Sequence, residues 1–131
     1  MTRRNTPEAD LQRAVVQALR FALPRMAIIH HCANEVTEAG PRGAKRQAIL
    51  VGMGVHAGFA DLMVLHDGRV LFIELKAPKG RLRPDQEGFR DAELAQGFGW
   101  ALVRSLDDAL GALADHGFAT RIASSARRVA S

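Results

Sequence analysis

The sequence is poor in cysteine and in large aromatic residues. Its 131 residues include one cysteine, one tryptophan and no tyrosine. A lone Cys32 excludes an intramolecular disulfide and a cysteine-based zinc site. The core must therefore be built from aliphatic residues and the six phenylalanines. No apolar run is long enough to cross a bilayer, and the charged N-terminal segment does not look like a signal peptide. We therefore expect a cytoplasmic, reduced protein with no membrane partner.

The overall composition is that of an ordinary globular domain. Hydrophobic residues make up 47% of the chain and charged residues 24%, which is typical of folded soluble domains. A chain of this length leaves little room for a second domain, and no linker or repeat divides it. We predict a single domain over residues 1–131, with its core over about residues 6–117 and a flexible tail over residues 123–131.

Positive charge exceeds negative charge, with 18 lysines and arginines against 14 acids and a formal net charge of +4. Arginine accounts for 15 of the 18, and its planar guanidinium suits phosphate recognition. A surplus of this size is compatible with a polyanionic partner but does not require one.

Capping signals and helical spacing of apolar residues predict the helices. Thr6-Pro7-Glu8 opens the first, since it combines an N-cap residue, a proline at the first helical position and an acid near the helix N-terminus. That helix should end near residue 23, before a proline. Gly40-Pro41 and Gly43 predict a polar loop over residues 33–44, with a helix over residues 44–53 after it. Two more helices are predicted over residues 84–95 and from residue 106 to Gly117, the last capped by Ser105 and Asp108.

Short apolar segments predict four strands, over residues 26–32, 61–66, 70–77 and 99–104. Asp67-Gly68 between the second and third is the strongest hairpin signal in the chain. These two strands are apolar on both faces, which places them in the middle of a sheet. The prediction is an α/β fold with a central sheet, flanking helices and the order α-β-(α)-β-β-α-β-α.

Three charged residues lie where packing alone would not place them. Glu74 and Lys76 interrupt an apolar strand and, being two apart, project from the same face. Asp61 begins the preceding strand. Pairing about the hairpin brings Asp61 next to Glu74, because 61 plus 74 equals 67 plus 68. Two carboxylates and one ammonium should therefore meet at one end of the hairpin.

These groups would be costly to bury without partners. A hard divalent cation such as Mg²⁺ would satisfy two carboxylates together with waters, and it would activate water for attack on a phosphodiester. The basic residues Lys79, Arg81 and Arg83 follow at once and could hold a phosphate backbone. The alternative is a structural salt bridge among the three charged residues.

The residues resemble the VRR-NUC family of the PD-(D/E)xK nuclease superfamily. The resemblance rests on Gly54-Val-His-Ala-Gly-Phe-Ala-Asp61-Leu, Phe72-Ile-Glu-Leu-Lys76 and Gly80-Arg-Leu-Arg-Pro-Asp-Gln86, and it extends over most of the chain. It implies a restriction-endonuclease-like core with a mixed sheet. Ala60 stands where many members of the family carry proline, which weakens the match slightly and leaves the chemistry intact.

The resemblance also implies roles for individual residues. Asp61, Glu74 and the backbone carbonyl of Leu75 would bind the metal ion. Lys76 would be the catalytic lysine and Gln86 would face the active site, and together they would position the water and the scissile phosphate. Glu8 matches an acidic position of the first helix and would bind metal directly or through water.

Other polar residues are weaker candidates for binding DNA. They are the basic cluster Arg42, Lys45 and Arg46, the loop residue His56, and Asn34, which with Glu35 loosely resembles a segment after the first strand. For the cluster and for His56, a solvated surface role is the alternative. The glycines at positions 52, 54 and 58 have the wrong spacing for a dinucleotide-binding loop, so no nucleotide cofactor is predicted. We interpret them as allowing a close turn and the approach of a substrate backbone.

The sequence thus predicts a deoxyribonuclease that depends on Mg²⁺, with Mn²⁺ as a substitute, and that cuts DNA internally. The small size favours a homodimer, and standalone members of the family suggest branched DNA such as a Holliday junction as substrate. The alternatives are a nuclease of flap, nicked or nonspecific duplex DNA, and a DNA-binding module without catalysis.

Overall fold

The computed structural model describes residues 7–33 and 40–121. Within these ranges it contains four helices and four strands in the predicted order: α1 (Pro7–Ala22), β1 (Ile28–His31), α2 (Gly40–Gly52), β2 (Leu62–His66), β3 (Arg69–Leu75), α3 (Pro84–Ala95), β4 (Gly99–Val103) and α4 (Leu106–Asp115). The predicted tail over residues 123–131 lies outside the described residues. None of the described helices has the length and apolar character needed to cross a bilayer.

The strands form one mixed sheet in the spatial order β1-β2-β3-β4. The β1–β2 and β2–β3 pairs are antiparallel, whereas β4 pairs with β3 in parallel, after the crossover through α3. Asp67 and Gly68 have φ angles of 49° and 76°, as the two central residues of a type I′ hairpin turn require. The prediction that β2 and β3 are central is confirmed.

The sheet buries a different cluster of apolar residues on each face. Leu71 and Ile73 of β3 pack in the larger cluster with residues of α1 and α4. Phe72, between them in sequence, lies on the opposite face with Phe89 of α3. Since side chains alternate along a strand, Glu74 projects from the same face as Phe72. That face, covered by α3, carries the candidate site.

Helix α2 begins earlier than predicted. Gly40, Pro41 and Gly43 were expected in a loop, but the helix starts at Gly40. Proline is tolerated in the first helical turn because the N–H that it lacks would have no intrahelical partner there. The strand bounds also shift slightly: β1 has four residues, and β3 ends at Leu75, one residue before Lys76.

The predicted cap of α4 is confirmed. The Ser105 side chain accepts a hydrogen bond of 3.1 Å from the Asp108 N–H. The Asp108 carboxylate accepts a hydrogen bond of 3.0 Å from the backbone N–H of Arg104, one residue before the position expected in a capping box. The chain is therefore firmly held where β4 passes into α4.

Candidate active site

Asp61 precedes β2 and is hydrogen-bonded to the two segments beside it, namely the residue that follows β1 and the last residue of β3. Its backbone carbonyl accepts a bond of 2.8 Å from the Cys32 N–H, and its Oδ2 accepts one of 2.7 Å from the Leu75 N–H. The pairing of Leu62 with Ile73 has the register predicted from the turn, and it puts Asp61 beside Glu74. The sheet backbone thus fixes the Asp61 carboxylate at the open end of the hairpin.

Glu74 and Lys76 are buried although both carry charge, with exposed fractions of 1% and 6%. The Lys76 Nζ lies 4.0 Å from Glu74 Oε1. The backbone N–H of Lys76 donates a hydrogen bond of 3.1 Å to Val103, so pairing with β4 continues past the last residue of β3. Because the backbone holds both residues in the strand pairing, their side chains project from the same face.

Gln86 connects Glu74 to the start of α3. Its Nε2 donates a hydrogen bond of 2.9 Å to Glu74 Oε1, and its Oε1 accepts one of 2.9 Å from the Arg83 N–H. A carboxylate can only accept and a backbone N–H can only donate, so these two partners fix which end of the amide is which. The side chain is 1% exposed. Gln86 is therefore hydrogen-bonded at both ends of its amide, to Glu74 and to the start of α3.

Gly58 allows the segment before Asp61 to pack on the first turn of α3. A Cβ atom at Gly58 would lie 2.1 Å from the carbonyl oxygen of Asp85 and 2.8 Å from the Gln86 nitrogen. The close approach expected at Gly58 is thus made by the backbone of α3. This contact places the start of α3, and with it Gln86, against the segment that leads into Asp61.

Glu8 lies on the first, exposed turn of α1. Its Oε1 is 3.5 Å from the position that a Cβ atom would take on Gly80, so it lies beside the turn that follows Lys76. No three His, Cys, Asp or Glu side chains within residues 7–33 and 40–121 are grouped closely enough to hold a metal ion. A metal-binding role for Glu8 stays a prediction.

The basic residues after Lys76 are exposed. Lys79 and Arg81 lie at the surface between β3 and α3, as does Arg83. Arg83 pairs with Asp85, with 3.3 Å between Nε and Oδ1. Of the three side chains, Lys79 and Arg81 are therefore the stronger candidates for contact with a phosphate backbone.

The other candidates for binding DNA lie on α2, in the loop before Asp61 or outside the described residues. Arg42, Lys45 and Arg46 are exposed on α2, and within the described chain α2 has no close backbone contact with another helix or strand. The His56 Nδ1 lies 2.8 Å from its acceptor, the carbonyl oxygen of the next residue, and the ring packs against Phe89 at 5.7 Å. Asn34 lies outside the described residues.

Arg104, which could not be identified from the sequence, holds the turn after Lys76 by hydrogen bonds. Arg104 Nη1 donates to the carbonyl oxygens of Ala77 at 2.7 Å, Pro78 at 3.2 Å and Gly80 at 2.8 Å. No local pattern marks Arg104, because its acceptors lie 24 to 27 residues earlier in the chain.

Cys32 lies beside the site as a neutral thiol. Burial raises the pKa of Cys32, and the nearby Asp61 carboxylate raises it further. Both effects disfavour a thiolate, the form that acts as nucleophile or metal ligand. The site therefore offers oxygen ligands, from the carboxylates of Asp61 and Glu74.

Comparison with solved structures identifies a protein of the same fold. A structure described as a VRR-NUC domain protein matches with a TM-score of 0.59 and 20% sequence identity, and the match covers 87% of this chain and 90% of that chain. No protein-family model matches the chain, and no curated protein does so. The shared fold confirms the predicted fold class and agrees with the resemblance drawn from the motifs.

The packing of Gly58 on α3 predicts a large loss of stability in Gly58→Ala. Gly68 provides a matched control, because its φ of +76° is close to the +78° of Gly58 while a Cβ there would meet nothing within 4 Å. Alanine at either position carries backbone strain of about 1–3 kcal/mol. Only Gly58→Ala adds overpacking, of about 1–3 kcal/mol more. Urea denaturation would measure both, and equal losses in the two variants would contradict the close-packing argument.

Proposed function

We propose that the chain is a metal-dependent endodeoxyribonuclease that hydrolyses phosphodiester bonds. The observation that carries this proposal is the arrangement of Asp61, Glu74, Lys76 and Gln86 at one end of the β2–β3 hairpin, with Glu74 and Lys76 buried. A shared fold alone does not establish a reaction. The proposal therefore rests on these side chains, and the fold of a VRR-NUC domain protein supplies the expected scaffold.

The two carboxylates suit a hard divalent cation. Mg²⁺ is commonly held by one or two carboxylates, with waters and substrate phosphate oxygens completing its coordination. Asp61 and Glu74 would be those ligands, and the resemblance adds the Leu75 carbonyl. Mn²⁺ should substitute, because it takes the same oxygen ligands. When bound, the ion would polarise the phosphoryl oxygen and lower the pKa of a coordinated water.

Lys76 would supply positive charge where negative charge develops. Its ammonium is nearly buried, and a charge acts more strongly at a site shielded from bulk water. During hydrolysis a water oxygen forms a bond to phosphorus while the bond to the leaving oxygen breaks. Lys76 would orient that water or stabilise the charge that builds up on the phosphoryl oxygens.

Gln86 would be a positioning residue. From the family resemblance, Gln86 was expected to position the water and the scissile phosphate together with Lys76. Instead, both ends of its amide are engaged, with Glu74 and with the Arg83 N–H. A hydrogen bond of this kind orients a metal-binding carboxylate and tunes its affinity. We therefore propose that Gln86 acts through Glu74.

The DNA backbone would be held by the basic residues near the site. Lys79 and Arg81 are exposed directly after Lys76 and would contact phosphates next to the scissile one. Arg83 is a third candidate. The exposed cluster on α2, namely Arg42, Lys45 and Arg46, would provide further contacts with the DNA backbone. We include in the proposal contacts of His56 and Asn34 with DNA, and metal binding by Glu8.

We further propose a homodimer that acts on branched DNA, with each subunit cutting one strand. The end of α1 and the start of edge strand β1 expose three apolar side chains: Phe21 by 72%, Met26 by 84% and Ile28 by 56%. Exposed apolar patches often mark an interface. Sedimentation velocity should show a dimer at micromolar concentration. A chain that sediments only as a monomer there would remove the dimer from the proposal.

Two alternatives make different predictions. A nuclease of flap, nicked or nonspecific duplex DNA would cut those substrates at least as fast as a four-way junction. A DNA-binding module without catalysis would bind DNA and cut none. A panel of labelled DNA structures, incubated with Mg²⁺ or Mn²⁺, separates the three cases.

Lys76→Ala should abolish metal-dependent cleavage. We expect kcat to fall by about 10²–10³-fold, the usual effect of removing one group that stabilises transition-state charge. Arg20→Ala is a control of matched charge, because Arg20 is exposed on α1 and has no proposed role. Cleavage of labelled duplex and junction DNA would measure both variants. Full activity in Lys76→Ala would contradict the assigned role.

Gln86→Met should weaken metal binding. It removes the donor that holds Glu74, and loss of such a supporting hydrogen bond commonly lowers metal affinity by about 10–100-fold. Titration calorimetry with Mn²⁺ measures the affinity without DNA. Gln96→Met, at the exposed end of α3, is the matched control. If both variants bind Mn²⁺ as the wild type does, Gln86 does not act through Glu74.

A further inference from the structure

The turn that follows Lys76 directs backbone carbonyl groups toward a single point. Gly80 donates its N–H to the Ala77 carbonyl at 2.9 Å, which closes the turn. The carbonyl oxygens of Ala77, Pro78 and Gly80 all lie within 3.2 Å of Arg104 Nη1. Three carbonyl dipoles aimed at one point repel each other unless a donor or a cation lies there. Arg104 supplies both.

The geometry at Arg104 shows which bonds are strongest. A guanidinium nitrogen of this kind carries two N–H groups, so with three acceptors at least one N–H is shared. The contacts to Ala77 at 2.7 Å and Gly80 at 2.8 Å have the lengths of charge-assisted bonds. The Pro78 carbonyl, at the longer distance of 3.2 Å, shares an N–H with one of these two acceptors. The guanidinium therefore joins the first and last residues of the turn.

Arg104 is itself well anchored. Its backbone N–H donates to Asp108 at the cap of α4, and it directly follows Val103, which accepts the hydrogen bond of the Lys76 N–H. Residues 76 and 104 thus leave the parallel β3–β4 pair side by side. The Arg104 side chain therefore reaches from the end of β4 to the turn that follows β3.

We propose that Arg104 is a positioning residue for DNA binding: it fixes the turn over residues 77–80 so that Lys79 and Arg81 meet the phosphate backbone at a set distance from Lys76. The inference rests on the proposed function. Lys76 is held separately by its bond to Val103, so loss of Arg104 should weaken DNA binding much more than the chemical step.

The first test needs no DNA. Arg104→Met keeps an apolar stem but removes charge and donors, whereas Arg104→Lys keeps a charge and three donors. Hydrogen exchange at the Gly80 amide should accelerate by about tenfold or more in Arg104→Met, the change expected when about 1.4 kcal/mol of protection is lost, and should slow again in Arg104→Lys. Unchanged exchange in a folded Arg104→Met protein would overturn the proposal. If Arg104→Met does not fold, Arg104→Gln, which keeps one donating NH₂ group, replaces it.

The second test measures binding and cleavage separately. Arg104→Met should raise the Kd for a labelled duplex by about tenfold, Arg104→Lys should restore most of the affinity, and kcat at saturating DNA should change by no more than about threefold. In a Lys79→Ala/Arg81→Ala background, Arg104→Met should add little further loss, because Arg104 is proposed to act through these two side chains. Additive losses would mean that Arg104 contacts phosphate itself, and this would overturn the positioning role. The exchange and Kd results stand even if the wild type cleaves no DNA, which would reject only the proposed function.

Discussion

The burial of the Glu74 carboxylate is the constraint on which the rest of the site depends. A carboxylate removed from water has to be surrounded by hydrogen-bond donors or positive charge, and Glu74 is 1% exposed. Lys76, two residues on, brings charge to the same face of the sheet. Gln86 brings a donor from α3, which requires α3 to begin close to the hairpin. The close packing of Gly58 on the first turn of α3 makes that approach possible.

Those parts of the site that depend on local geometry could be predicted from the sequence. The side-chain alternation of a strand places Glu74 and Lys76 on one face, and the pairing about Asp67-Gly68 is fixed by simple arithmetic once the turn is identified. The structure has the predicted register, and Asp61 lies beside Glu74 as expected. The order of the elements follows for the same reason, since each element is marked by periodicity and turn residues within a few positions. The mixed sheet, in contrast, was implied by the family resemblance.

The parts that depend on contacts between distant segments could not be predicted. Arg104 bonds to a turn more than twenty residues away, and an arginine at a strand end carries no signal of that. The sequence marks Gly58 as a position that permits a close approach, but it does not show that the first turn of α3 makes that approach. Gln86 was placed correctly near the site, yet only the bonds at both ends of its amide suggest that it acts on Glu74.

The same geometry bears on whether the three charged residues form only a structural salt bridge. A buried ion pair stabilises a fold only when its geometry is good enough to offset desolvation, and charge-assisted bonds between nitrogen and oxygen are usually about 2.7–2.9 Å long. The Lys76 Nζ lies 4.0 Å from Glu74 Oε1, while the neutral Gln86 amide lies at 2.9 Å from the same atom. Glu74 Oε1 is thus closer to the Gln86 amide than to the Lys76 ammonium, and the lysine is held more loosely. This distance argues against a purely structural salt bridge and suits the role proposed for Lys76 toward a substrate phosphate.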